Sequence, residues 1–129
     1  MTDSASGEGR TDPLRLGALE QQVMSALWDE GALSIRQIIS FLGDKHAYTT
    51  IATVLGNLSR KELVAAERDG RSVRYVPRHT REIHAAQLMG QALSTSNDPM
   101  ASILHFIDTI DPGDAQLLRE YLTERGEAG

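Results

Sequence analysis

The sequence predicts a mainly α fold with one small β-hairpin, and three observations carry that prediction. Three amphipathic stretches fill residues 16–61, two short β-prone runs flank an Asp-Gly turn within residues 63–76, and apolar residues return at helical spacing from residue 80 onward.

The first helix is expected over residues 16–30. Leu19, Val23, Met24, Leu27 and Trp28 form one apolar stripe, Glu20, Gln21, Gln22 and Ser25 lie outside it, and Gly31 ends it. After a short Ala32-Leu33 link, Ser34 stands three residues before Gln37 in a capping-box pattern. A second helix follows, with Ile35, Ile38, Ile39 and Leu42 on its apolar side and Gly43 closing it. Residues 44–47 form a polar turn, and a third helix is expected over residues 48–61. At 100° per residue from Thr49, the side chains of Ile51, Val54, Leu55 and Leu58 fall between about 140° and 240°. Thr49, Thr50, Thr53, Gly56, Asn57 and Arg60 cluster opposite them, so one face packs and the other is free to touch something. Strands are expected over residues 63–68 and 72–76 around Asp69-Gly70-Arg71, with Pro77 ending the second because it has no N–H to donate. Arg68, Arg71, Arg74 and Arg78 stand on or beside this hairpin.

Three helices followed by a basic hairpin is the order of a winged helix-turn-helix. In that fold the third helix enters the major groove of DNA and the hairpin, the wing, follows the flanking backbone. Residues 14–79 are assigned to this domain, and residues 1–13, polar and without a secretory apolar stretch, to a disordered tail. Residues 80–129 carry three thin stripes: Ile83, Ala86, Met89, Gly90 and Leu93; Met100, Ile103, Leu104 and Ile107; Leu117, Leu118, Tyr121 and Leu122. Asp98-Pro99 and Asp111-Pro112 each resemble an N-cap followed by proline at the first helical position, and Gly126 resembles a C-terminal stop. A helical segment of about 50 residues is marginal alone. Its stripes, through Ile83, Leu93, Ile103, Leu104, Ile107, Leu117, Leu118, Tyr121 and Leu122, are therefore expected to interlock with a second copy as a homodimerisation domain.

Charge is distributed to match. The net charge is -5, yet residues 1–44 hold three basic and seven acidic side chains, residues 45–81 eight and three, and residues 82–129 two and eight. A positive middle between negative flanks favours one docking orientation on phosphate. Within it, the hydroxyl and methyl groups of Thr49, Thr50 and Thr53 suit base edges, Asn57 and Arg60 share their face, and Arg71 and Arg74 on the wing suit phosphate. Tyr48 either donates to phosphate or covers the core with its ring. The competing function is a winged-helix module that binds a partner protein; four arginines around the wing favour DNA, since a protein-binding centre more often shows exposed aromatics.

Several classes are excluded or disfavoured. With no cysteine there are no disulfides, thiolate zinc sites or cysteine nucleophiles, and a reducing cytoplasm is the natural compartment. No run approaches the roughly 20 apolar residues of a membrane span. His46, His79, His84 and His105 offer no metal-ligand spacing, so neither metal nor cofactor is expected. Of Asp108, Asp111 and Asp114, which could be taken for a carboxylate site, capping of the last helix by Asp111 and dipole matching by Asp114 account for two without chemistry. No phosphate loop or nucleophile elbow is present, and an enzyme is not expected.

The runs Leu16-Gly17-Ala18-Leu19-Glu20, Val23-Met24 and Leu27-Trp28, then Tyr48-Thr49-Thr50-Ile51-Ala52-Thr53-Val54-Leu55 and Gly70-Arg71-Ser72-Val73-Arg74-Tyr75-Val76-Pro77, resemble the penicillinase-repressor family, the BlaI/MecI/CopY group. The resemblance runs from about Leu16 to the C-terminus. It implies a dimeric repressor on an inverted-repeat operator of double-stranded DNA, with release triggered in several members by a membrane sensor-protease system that cleaves within the dimerisation helices. Copper-responsive members carry a C-terminal cysteine cluster that this chain lacks. Antibiotic-responsive members are cut at Asn-Phe, and the matching bond here is His105-Phe106.

Overall fold

Helix α1 (Ala18–Glu30) starts two residues inside the expected span, because Gly17 stays extended as its N-cap and donates its N–H to Glu20 Oε1 at 2.9 Å. The computed structural model describes residues 14–128, so the tail expected over residues 1–13 lies outside the described residues. Gly31 ends α1 at φ 93°, a left-handed value that glycine adopts without a Cβ clash, and returns its N–H to Leu27 O. Helix α2 (Ile35–Phe41) opens on the expected capping box: Gln37 N–H donates to Ser34 Oγ at 3.2 Å and Ser34 N–H to Gln37 Oε1 at 2.9 Å.

Helix α3 (Tyr48–Arg60) ends one residue earlier than expected, with Lys61 as C-cap. Glu62 then takes φ 63°, Glu62 N–H donates to Ser59 O, and Leu63 N–H donates to Leu58 O. This is a Schellman closure with glutamate where glycine is usual, sealed by the buried pair Leu58 and Leu63. Lys61 Nζ reaches back to Glu20 at 2.9 Å and to Arg15 O at 3.2 Å, tying the end of α3 to the start of α1.

Strands β1 (Val64–Asp69) and β2 (Ser72–Pro77) pair antiparallel from Val64↔Pro77 to Asp69↔Ser72, leaving Gly70 and Arg71 as a two-residue connection with Gly70 at φ 65°. The Ala32-Leu33 link is more than a connector. Leu33 and Tyr75 exchange backbone hydrogen bonds of 3.1 and 2.8 Å, so one residue of the link adds a third, minimal strand to β2. The core lies beneath: Val23, Met24, Leu27, Ile38, Ile51, Leu55 and Leu58 are fully buried, with Leu33, Leu63 and Val64 closing the base of the hairpin. The rest of β1 is half-buried or exposed, so the wing is rooted at one end and solvated at its tip.

Helices α4 (Arg81–Ser94), α5 (Pro99–Thr109) and α6 (Pro112–Ala128) complete the chain. Asp98 caps α5 by accepting from Ala101 N–H, with Pro99 at the first position, as its sequence implies. Gly126 does not stop α6, which continues to Ala128; a single helical glycine costs only about 1 kcal/mol relative to alanine and does not by itself break a turn.

The chain forms two compact units that divide between Leu88 and Met89. The reason is chemical. Trp28 Nε1 donates to His79 O at 2.9 Å, Arg81 pairs with Asp29 at 3.1 Å and lies over the Trp28 ring, and His84 packs its ring 5.5 Å from that of Trp28. The first half of α4 is thereby held on α1 and belongs to the first unit. His84 is buried there with Nδ1 unpartnered, and burial, with a lesser contribution from His79, lowers its pKa below the ordinary value.

Candidate nucleic-acid interface

The outer face of α3 follows from its inner one. Ile51, Val54, Leu55 and Leu58 are buried, so rotation by the helical repeat turns Thr49, Thr50, Thr53, Gly56 and Arg60 to solvent, and all five are exposed. Asn57 is half-buried at the edge of that face and accepts a hydrogen bond from the Arg60 guanidinium, which holds the arginine along the helix. Tyr48 is 48% exposed and stands outside the core, so its ring does not cover the core. Ala47 caps α3 with no side-chain acceptor, leaving first-turn N–H groups and the positive end of the helix dipole for an external anion.

On the wing, Arg71 occupies the tip connection and Arg74 sits opposite Glu67 in the ladder. Both arginines are exposed. Arg74 Nε lies 3.9 Å from Asp69 Oδ2, at the limit of an ion pair between exposed groups, a contact of about 0–1 kcal/mol that competes poorly with phosphate. By contrast, two cations of the basic middle are committed elsewhere: Lys61 to Glu20 and Arg81 to Asp29. Among the described residues no hydrogen bond or ion pair joins the wing arginines to the threonines of α3.

One residue of this region escaped the sequence reading. Arg36, the second residue of α2, lies outside the Ile35, Ile38, Ile39 and Leu42 stripe and places its guanidinium 5.3 Å from the centre of the Tyr48 ring. Its position off the stripe, near the start of the helix that precedes the recognition helix, was the available signal.

The second unit is built differently. Leu93, Ile103, Ile107, Leu118 and Leu122 line an open, almost wholly apolar cavity of about 770 Å³ together with Met89 and Phe106. Leu104, Leu117 and Tyr121 are exposed outside its lining. Ile83 is not among them; it belongs to the first unit and borders a smaller cavity of about 400 Å³ beside Trp28 and Arg81. His105 and Phe106 lie within α5, both exposed. Among the described residues no group of histidine and carboxylate side chains is arranged to hold a metal ion, and no helix is long and apolar enough to cross a membrane.

A three-helix core with a rooted wing and a solvent-facing, hydroxyl-rich third helix defines a winged-helix DNA-binding regulator of transcription. The chain matches the penicillinase repressor family model over residues 16–124. It belongs to that family. It is 40% identical over 121 residues, 89% of this chain and 87% of the relative, to a protein named transcriptional regulator BlaI in Mycobacterium tuberculosis. Among solved structures it is similar to a MarR family protein from Bacillus stearothermophilus, with a TM-score of 0.50 at 14% identity over 98% of this chain and 87% of that one. A solution structure of the DNA-binding domain of the repressor BlaI covers 54% of this chain and 88% of its own, with a TM-score of 0.48 at 22% identity.

Proposed function

We propose that the protein is a homodimeric, cytoplasmic transcriptional repressor whose two winged helices read the halves of an inverted-repeat operator. The observation that carries this reading is the outer face of α3, where Thr49, Thr50 and Thr53 stand exposed opposite a buried apolar face. Threonine hydroxyls donate or accept and their methyl groups pack on the thymine methyl, so Thr50 and Thr53 near the helix start supply base readout. Tyr48, Thr49, Asn57 and Arg60 flank them, and Arg71 and Arg74 fix register on the phosphates. No chemistry is performed on the DNA. The regulator acts by occupancy, which depends on two half-sites being held by one dimer so that the second contact is effectively intramolecular.

Dimerisation is assigned to the second unit, whose apolar cavity and leucines are exposed among the described residues. Release by a sensor-protease system at His105-Phe106 is the corresponding induction route. The bond lies in α5, so cleavage requires that helix to unwind locally, and it would sever α6 from the rest of the dimerising surface. Binding-site selection with the purified protein tests the reading: an enriched inverted repeat with half-sites about one or two helical turns apart is expected. Recovery of random sequence would contradict it. For the induction route, a chain ending at His105 should sediment as a monomer and lose the selected duplex.

A further inference from the structure

Arg36 differs from every other cation near α3. It is exposed, it is the one basic residue of α2, and among the described residues its recorded partner is the Tyr48 ring, with no carboxylate within ion-pair distance and no hydrogen bond. The guanidinium carbon stands 5.3 Å over the ring centre, and Tyr48 is the first residue of α3. A guanidinium within about 6 Å of an aromatic ring centre is attracted by the ring's quadrupole, and that attraction uses no hydrogen-bond acceptor, so its five N–H donors stay available to another group. The cation–π contact therefore biases the side chain toward the start of α3 with no carboxylate taking its donors. Lysine would keep a cation–π attraction but not the guanidinium fork.

We propose that Arg36 is a DNA-backbone contact that Tyr48 holds in position, presenting its N–H fork to a phosphate beside the half-site that α3 reads. The inference rests on the DNA-binding reading above. Phosphate is the expected acceptor and not a base edge, because the helix before the recognition helix crosses the backbone and stays out of the groove. Tyr48 then serves mainly as a platform, with its hydroxyl a separate and smaller contributor.

Titrating the full-length protein against the selected duplex and a scrambled duplex, over a series of salt concentrations, tests this. R36A should weaken both duplexes by the same factor, about five-fold per protomer near 0.15 M salt, and lower the log–log salt slope by about 0.9 per protomer. R36K should recover the slope but only part of the affinity, and Y48A should cost more affinity than Y48F. Arg36 is exposed, so thermal melting of R36A should match the parent chain, and R36Q gives a second variant of similar length. The R71A/R74A double variant calibrates the assay. If the parent chain binds neither duplex, the DNA-binding reading fails; if the wing variant flattens the slope and R36A and R36Q do not, Arg36 alone is overturned. A loss confined to the selected duplex would also overturn it, by making Arg36 a base reader.

Discussion

Residues 14–88 and residues 89–128 use the same apolar periodicity to opposite ends. In the first unit Val23, Leu27, Ile38, Ile51 and Leu58 are sealed from solvent by neighbouring elements of the same chain. In the second, Met100, Leu117 and Leu122 are each at least 60% exposed, although they stand on helices as well formed as any in the first. A stripe at helical spacing states which side of a helix must be covered. It does not state which chain supplies the cover. The first unit closes its own core, whereas the second leaves its apolar stripes exposed among the described residues.

Two substitutions separate these cases with the largest effects. Leu58→Ala opens a cavity in the sealed core and should destabilise the first unit by about 2–5 kcal/mol, independent of protein concentration. Leu118→Asp should leave the melting of that unit nearly unchanged, yet cost several kcal/mol of association by placing an unpaired carboxylate in a joint apolar face. Urea unfolding and sedimentation of both variants check the contrast. Equal effects on the monomer would erase it.

Within the first unit the next comparison is between core and reading face. Thr53→Ala removes no buried contact, so folding should persist while discrimination between the selected half-site and a mismatched one falls by about 1–3 kcal/mol, measured by competition binding. Equal loss on matched and mismatched DNA would make Thr53 a positioning contact.

The helices, their order, the capping box at Ser34 and the wing turn were legible because each rests on local rules: periodicity, a cap, an Asp-Gly pair. What was not legible depends on contacts distant in sequence. The Leu33–Tyr75 bridge joins residues 42 positions apart, one residue long on one side, and leaves no local pattern. The anchoring of α4 is hidden for the same reason: Trp28 and Asp29 hold His79, Arg81 and His84 from about 50 residues away, and nothing in the helical stripe around Ile83 announces it. Arg36 lies outside the basic stretch of residues 45–81, and its contact with the Tyr48 ring spans a turn, so no local pattern marks it.

That distant anchoring of α4 is itself testable. Burial, with a lesser contribution from His79, lowers the His84 pKa in the folded chain, so the unfolded chain binds more protons over the interval just below the ordinary value of 6.5. Stability should be level above that value and fall as pH drops through the interval. His84→Gln should flatten this part of the pH profile, followed by thermal melts between about pH 5 and 8; an unchanged profile would assign the pH dependence elsewhere. The smallest effect belongs to Glu62→Gly, which relieves a left-handed glutamate and should stabilise the first unit by about 0.5–1 kcal/mol. A lower melting temperature would show that the Glu62 side chain contributes more than its backbone strain costs.

The central claim is that a second copy of the chain covers the apolar surface of the second unit. Sedimentation equilibrium of the full-length protein, at the concentrations that saturate the selected operator, measures this directly. The account predicts a single species of twice the 14.1 kDa chain mass, and a 14.1 kDa monomer that still saturates an inverted-repeat duplex would contradict it.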